Sequence, residues 1–190
     1  GSIMCLGGLV TAICLTMGLS PVIAIILGIL SGTLTGLVNG LIVEVAKVNA
    51  LIATIGTMYI ARGICEIVLV GRGQAGYTNF PEQFNNIGRG QFLNVYYMFW
   101  IMIVLVIIFQ LILTYTKFGR KLFYIGGNFN AAKQLGINTS RIRIIAFMIS
   151  GTLAAVAGVL VTSRAGIANR YTGVGAHMDI IIGCIIGGGS

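Results

Sequence analysis

Few residues of this chain have the types and spacing that acid–base or nucleophilic chemistry requires. His177 and Asp179 stand two positions apart without a third ligand or nucleophile, so we interpret them as part of a turn. The stretch from Gly71 to Gly76 matches the GxGxxG pattern of dinucleotide-binding loops. That fingerprint needs a preceding strand and an acidic residue about 20 positions later. Here an apolar segment precedes the pattern, and the position where the acidic residue should stand is near Gln91. We therefore interpret this stretch as a flexible outer loop, and we do not expect the chain to be an enzyme.

Redox or metal chemistry is not expected from the cysteines. They occur singly in apolar runs, without a CxxC motif or a neighbouring His, and we interpret them as small buried hydrophobic residues. The positions are Cys5, Cys14, Cys65 and Cys184.

Arg62 and Glu66 are the charges that we place well inside an apolar segment. Their i,i+4 spacing on a helix predicts a structural ion pair near the outer end of that segment. The alternative is that both line a polar pathway, because intramembrane charges are costly and often functional.

The composition indicates a membrane protein. The chain has 190 residues, of which 57% are hydrophobic and 8% charged, and its mean hydropathy is +0.98. Soluble domains carry roughly 25% charged residues, so this surface must face lipid. The net charge of +8 lies at the ends of apolar segments, as loop charges of membrane proteins do, which argues against nucleic-acid binding.

The apolar segments predict an all-α, polytopic transmembrane helical bundle. A span needs about 20 apolar residues, and Ser20 and Pro21 suit the N-cap and first position of the second helix. We expect a fragment of a longer protein, with its N- and C-terminal spans missing. Five complete spans and the start of a sixth are predicted, at 3–19, 22–46, 50–70, 92–116, 142–163 and from 180 onward.

Loop charges predict the orientation. The segment 117–143 carries six Lys or Arg residues and no acid, whereas 71–91 carries Arg72, Arg89 and Glu82. The positive-inside rule places the first in the cytoplasm and the second outside. The segment 164–178 then also falls outside.

Small residues recur every four positions in the second span and predict one flat helix face, where a neighbouring helix can approach closely. The alternative is that this face also makes room for a passage. The residues are Gly28, Gly32, Gly36 and Gly40. The fifth span has a similar but weaker group of small residues, namely Gly151, Ala154, Ala155 and Gly158.

Four stretches, in order, resemble the permease subunits of bacterial ABC importers for simple sugars, the ribose/xylose/galactose group. No single motif is decisive, but the ordered set covers nearly the whole chain. The stretches are Gly32 to Gly40; Leu51 to Met58 with Arg62-Gly63; Thr116 to Arg120 with Gly126-Gly127-Asn128, Ala131-Ala132 and Gly136-Ile137; and Gly173-x-Gly175 with Asp179 and Gly187-Gly188.

The resemblance implies a type II importer-like fold and a single permease domain over 1–190, in the bacterial plasma membrane. It implies a second permease copy, cytoplasmic ATPase subunits and an extracytoplasmic sugar-binding protein. ATP and Mg would bind the ATPase, and this chain would hold no cofactor or metal.

The sugar pathway would lie between two copies, along the spans with Asn39, Thr54 and Thr57. Open alternatives are a nucleoside, inositol, furanose signal or branched-chain amino acid as cargo, or a channel or scaffold without a motor.

The resemblance further implies that the loop 117–141 holds a coupling helix for the ATPase. The residues support a short helix, because Asn128 or Asn130 can cap its start and Gly136 suits a left-handed stop. Relatives often carry acids where Phe129 and Asn130 stand, and a Glu near His177. The predicted coupling residues are Gly126, Gly127, Asn128, Ala131, Ala132, Leu135, Gly136 and Ile137.

Overall fold

The computed structural model describes residues 1–71, 76–127 and 129–188. Those residues are almost entirely helical, with four two-residue strands at one end. The helices are α1 (Ser2–Thr16), α2 (Pro21–Val45), α3 (Ala50–Val70), α4 (Glu82–Arg89), α5 (Tyr97–Tyr115), α6 (Lys117–Gly127), α7 (Phe129–Gln134), α8 (Thr139–Ala165) and α9 (Ala176–Ile186).

The predicted helical membrane bundle is confirmed. In the described part of the chain, four helices are long and apolar enough to cross a membrane, namely α2, α3, α5 and α8. The apolar helices α1 and α9 are shorter, and the first predicted span is helical only as far as Thr16. The chain is therefore a polytopic helical bundle.

Local sequence sets the tight connection between α2 and α3. Ser20 is the N-cap of α2 and Pro21 its first residue, as predicted, although the Ser20 side chain makes no capping bond. Asn49 caps α3, and its Oδ1 accepts a hydrogen bond of 2.9 Å from the Leu51 N–H. Lys47 reverses the chain in the left-handed region, at φ 52°.

The centre of the fold is the packing of α1, α2 and α8 through small residues. A Cβ on Gly32 would lie 2.6 Å from the Gly151 carbonyl oxygen, and one on Gly40 would lie 2.9 Å from the Ile144 Cα. Gly28 faces Thr11 of α1 in the same way. In the structure, this glycine face of α2 contacts α8 and α1.

The outer loops meet over the ends of α1, α3 and α8. The strands β1 (Gly76–Tyr77) and β4 (Ala168–Asn169) pair antiparallel, as do β2 (Gln91–Phe92) and β3 (Val95–Tyr96). The middle of the GxGxxG pattern, residues 72–75, lies outside the described residues.

The predicted ion pair between Arg62 and Glu66 is wrong. The Arg62 guanidinium instead donates to the backbone carbonyls of Arg170 and Thr172 in the loop that follows α8. Glu66 is exposed on the surface of α3. Backbone carbonyls of the loop satisfy the cation, so Arg62 holds this loop against α3.

The cysteines follow the prediction except at one position. Cys5, Cys14 and Cys65 are buried free thiols, whereas Cys184 is exposed on α9.

Candidate functional site

A sharp corner joins α5 to α6 at Thr116. The Thr116 hydroxyl donates a 2.6 Å hydrogen bond to the Ile112 carbonyl and accepts one of 3.2 Å from the Gly119 N–H. A Cβ on Gly119 would lie 2.6 Å from the Leu113 Cα, so only glycine allows the first turn of α6 to fold back against α5. The corner accounts for the sequence Thr-Lys-Phe-Gly of the third motif.

The short helix of the basic loop begins within the predicted range. Gly126 and Gly127 are the last residues of α6 and do not open the following helix. Asn128 lies outside the described residues, and α7 begins at Phe129. Sequence analysis did not predict α6 as a separate helix, because Gly126 and Gly127 were assigned to the coupling segment that follows.

The end of α7 matches the prediction. Gly136 adopts the left-handed conformation at φ 74°. Its N–H donates to the Lys133 carbonyl at 3.1 Å, and the Ile137 N–H donates to the Ala132 carbonyl at 3.2 Å. These two bonds form a Schellman motif, which satisfies the last carbonyls of the helix.

The exposed face of α7 differs from the predicted one. Ala132 is only 1% exposed and packs inward, whereas Leu135 is 73% exposed. The side chain of Ala131 lies outside the described part. Of Ala132 and Leu135, two predicted coupling residues, Leu135 is therefore the one that is open to a partner.

Two exposed aromatic residues lie on the preceding helix, α6. Phe123 and Tyr124 on α6 are 68% and 57% exposed. Their opposite neighbours Leu122 and Ile125 are partly buried, as an amphipathic helix requires. This amphipathic spacing in the sequence was the signal that could have predicted α6.

The basic loop ends at the cap of α8. Asn138 is the N-cap, and its Oδ1 accepts a 3.1 Å hydrogen bond from the Arg141 N–H. The hydroxyl residues Thr139 and Ser140, which follow in the sequence, are already helical and do not serve as the cap.

An ion pair that sequence analysis missed lies beside this cap. Arg143 Nη1 is 2.8 Å from Glu44 Oε1 at the end of α2, and the Glu44 side chain is 11% exposed. The pair joins the ends of α2 and α8 next to the basic loop.

The three predicted pathway residues line one cavity. Asn39, Thr54 and Thr57 border a cavity of about 580 Å³ between α2, α3, α8 and α9. Its wall also includes Ser150 and His177, which were not predicted to belong to a pathway. The remaining lining residues are mainly apolar.

The polar groups of this cavity differ in their hydrogen bonding. The Thr54 hydroxyl donates to the Ala50 carbonyl at 2.8 Å, and the Thr57 hydroxyl donates to the Thr54 carbonyl at 3.1 Å. Asn39 is 6% exposed, and within the described residues its Oδ1 has no hydrogen-bond partner. Among the described residues, Asn39 thus has a buried oxygen without a partner, whereas both Thr hydroxyls donate within α3.

A family described as "Branched-chain amino acid transport system / permease component" matches residues 1–190. The autoinducer 2 import system permease protein LsrC of Photorhabdus laumondii is 32% identical over 188 residues, which cover 99% of this chain and 56% of that protein. The ribose import permease protein RbsC of Haemophilus influenzae is 36% identical over 191 residues, which cover 100% of this chain and 59% of that protein. The chain thus spans about half the length of the curated relatives it matches. No solved structure matches it.

Proposed function

The chain belongs to the family of branched-chain amino acid transport system permease components, and we propose that it is part of the membrane subunit of an ATP-driven sugar importer. It is a multi-pass protein of the bacterial inner membrane. The observation that carries the proposal is the similarity over the full chain to a ribose import permease. The similar match to the autoinducer 2 permease makes that signal molecule the second candidate cargo.

Energy would come from a separate ATPase subunit that binds ATP and Mg, and this chain would have no catalytic activity and no cofactor. The support is the segment 117–141. A six-residue helix such as α7 is too short to be stable alone, so it needs a partner's groove. Leu135 offers an exposed apolar contact there, and Gly136 ends the helix without a side chain that would obstruct docking.

The position and burial of each predicted coupling residue suggest the role that it would have. Leu135 would contact the ATPase, and Gly136 with Ile137 would fix the end of the helix. Ala132 would hold α7 against the permease, since it is buried. Gly127 ends α6 and would form the joint to α7, whereas Gly126 lies within α6 and would tolerate a side chain. ATP-driven closure of the ATPase would then move α7 and tilt the attached α5 and α8.

The cargo would pass along the cavity that Asn39, Thr54 and Thr57 line. A mainly apolar wall offers a polyol few hydrogen bonds and therefore binds it weakly, which suits release after each cycle. Selectivity would reside in an extracytoplasmic binding protein. A second permease copy would complete the pathway, and residues 1–190 would form one domain within it.

The cargo is tested by thermal-shift screening of the binding protein encoded beside the intact permease, against ribose, other monosaccharides and autoinducer 2. We expect one of these ligands to raise its Tm, and the same ligand to compete for uptake in cells that express all three components. Uptake that persists when the ATPase is inactivated would contradict the importer and indicate a passive channel. A Tm shift with leucine alone would overturn the sugar cargo.

A further inference from the structure

Three basic side chains form one exposed face at the start of α6. Lys117, Arg120 and Lys121 are all exposed, and their i, i+3 and i+4 spacing places them on the same side of the helix. We call them the basic face of α6. In the sequence 117–143 no acid accompanies them, and the described residues place no carboxylate in an ion pair with them.

The basic face lies level with the end of a membrane span. Gly119 packs against the backbone of Leu113, in the last two turns of α5. The first turn of α6 is therefore beside the final turns of the span and does not extend away from it. The positive-inside rule puts this end of α5 at the cytoplasmic leaflet, so the three cations stand at headgroup depth.

Exposed aromatic residues border the basic face. Tyr115 is exposed at the end of α5, and Phe123 and Tyr124 are exposed on α6. Tyr side chains are enriched at membrane–water interfaces, where the ring contacts acyl chains and the hydroxyl stays hydrated. An amphipathic helix with cations and aromatic residues is typical of a segment that lies in this interface.

We propose that the basic face of α6 binds the phosphate of an anionic phospholipid in the cytoplasmic leaflet. The Arg120 guanidinium offers a planar set of donors, of which the structure engages one in a 3.4 Å bond to the Tyr115 carbonyl. The two ammonium groups add point charges on the same face. A lipid bound there anchors the corner between α5 and α6 while the neighbouring α7 stays available to a protein partner.

This inference does not depend on the identity of the cargo or on the docking of α7. The basic face lies on α6, whereas the proposed ATPase contact is Leu135 beyond the end of α7. Loss of lipid binding and loss of ATPase docking are therefore separable in variants of the intact permease.

The test is native mass spectrometry of the intact permease in neutral detergent, titrated with phosphatidylglycerol or with phosphatidylcholine. Basic residues near an anionic surface contribute about fivefold each in affinity, so Arg120→Gln should weaken phosphatidylglycerol binding about fivefold. The triple variant Lys117→Gln, Arg120→Gln, Lys121→Gln should weaken it about a hundredfold. The matched control is Arg170→Gln, which removes an exposed cation at the opposite end of the bundle and should leave the affinity unchanged.

Four outcomes decide the proposal. The proposal is supported if the triple variant loses phosphatidylglycerol binding selectively while its Tm in detergent is unchanged. Millimolar inorganic phosphate should then fail to displace the lipid from the wild type, and displacement would overturn the lipid as the ligand. Equal binding of both lipids by the wild type overturns the proposal. Unchanged lipid affinity in the triple variant also overturns it, and weakened ATPase binding in detergent would then assign the basic face to a protein partner.

Discussion

Asn39 is the side chain whose chemistry best separates a transport role from a structural one. A buried amide oxygen without a partner costs about 1–3 kcal/mol, and within the described residues Asn39 Oδ1 has none. We therefore expect Asn39→Leu to leave the Tm unchanged or higher, and to lower uptake about tenfold because the cargo loses a hydrogen bond to the Asn39 amide group.

The matched control for Asn39 is Thr57→Val, because the Thr57 hydroxyl already donates to its own helix. Uptake should fall less in that variant than in Asn39→Leu. Wild-type uptake by Asn39→Leu in proteoliposomes would show that the cargo does not contact this residue.

Gly136 tests the end of the proposed coupling helix. Proline cannot adopt φ 74° and lacks the N–H that bonds the Lys133 carbonyl, so Gly136→Pro should unfold the last turn of α7. We expect uptake to fall at least about tenfold while the Tm changes little, because one short exposed turn contributes little to global stability.

Gly126→Ala provides the comparison for Gly136→Pro. A Cβ at Gly126 meets open space and the residue is helical, so this variant should keep wild-type uptake. Equal uptake in both variants would remove the role of the Gly136 turn in coupling.

At this scale, some residues were predictable from sequence and others were not. The left-handed Gly136 follows from its position after a short helical pattern. The inward position of Ala132 does not, because each residue turns a helix by about 100° and the pattern left the start of α7 uncertain by several residues. A charged residue at Ala132 should therefore unfold the local packing, and Leu135 is the better site at which to test ATPase contact.

The pairing of α2 with α8 is the central contact between elements. A side chain at Gly36 would collide with the Phe147 carbonyl and come within 2.9 Å of the Met148 Cα. The backbone of α8 cannot move aside easily, so Gly36→Leu should destabilise the bundle by about 3 kcal/mol, the upper end of the usual cost of overpacking. Gly56→Leu on α3 is the control, since a Cβ there meets nothing within 4 Å.

Thermal unfolding in detergent measures this difference. We expect a clearly lower Tm or loss of folded protein for Gly36→Leu, with Gly56→Leu close to the wild type. Similar Tm values for both variants would refute the requirement for close approach at Gly36.

The ion pair between Glu44 and Arg143 should couple the ends of α2 and α8. The pair is partly buried, so its coupling energy should lie between that of an exposed and that of a buried salt bridge, at about 1–2 kcal/mol. A double-mutant cycle with Glu44→Gln and Arg143→Gln, followed by chemical unfolding, measures it. Additive single effects would show that the pair contributes nothing.

The sequence predicted which face of α2 packs but not which helix covers it, because periodicity contains no information about distant partners. Four of the spans followed from apolar length alone. The corner between α5 and α6 did not, since it depends on a contact between Gly119 and the Leu113 backbone that only the folded chain shows. Likewise, the loop carbonyls that satisfy Arg62 lie about a hundred residues away in sequence.

At the scale of the whole molecule, the features are arranged from end to end of the bundle. The outer loops meet over α3 and α8, the cavity lies between α2, α3, α8 and α9, and the basic loop with α6 and α7 lies at the opposite end. The tight α2–α8 packing connects these levels, because both helices border the cavity and α8 follows the basic loop directly. A force on α7 would therefore reach the cavity through α8.

The central claim is that an ATPase drives uptake through α7. Its most direct measurement is ATP hydrolysis and labelled-cargo uptake, recorded together in proteoliposomes that hold the intact permease, its ATPase and the loaded binding protein. We predict that uptake requires ATP, and that Leu135→Glu abolishes uptake while Gly126→Ala does not. Equal uptake without ATP, or full uptake by Leu135→Glu, would contradict the account.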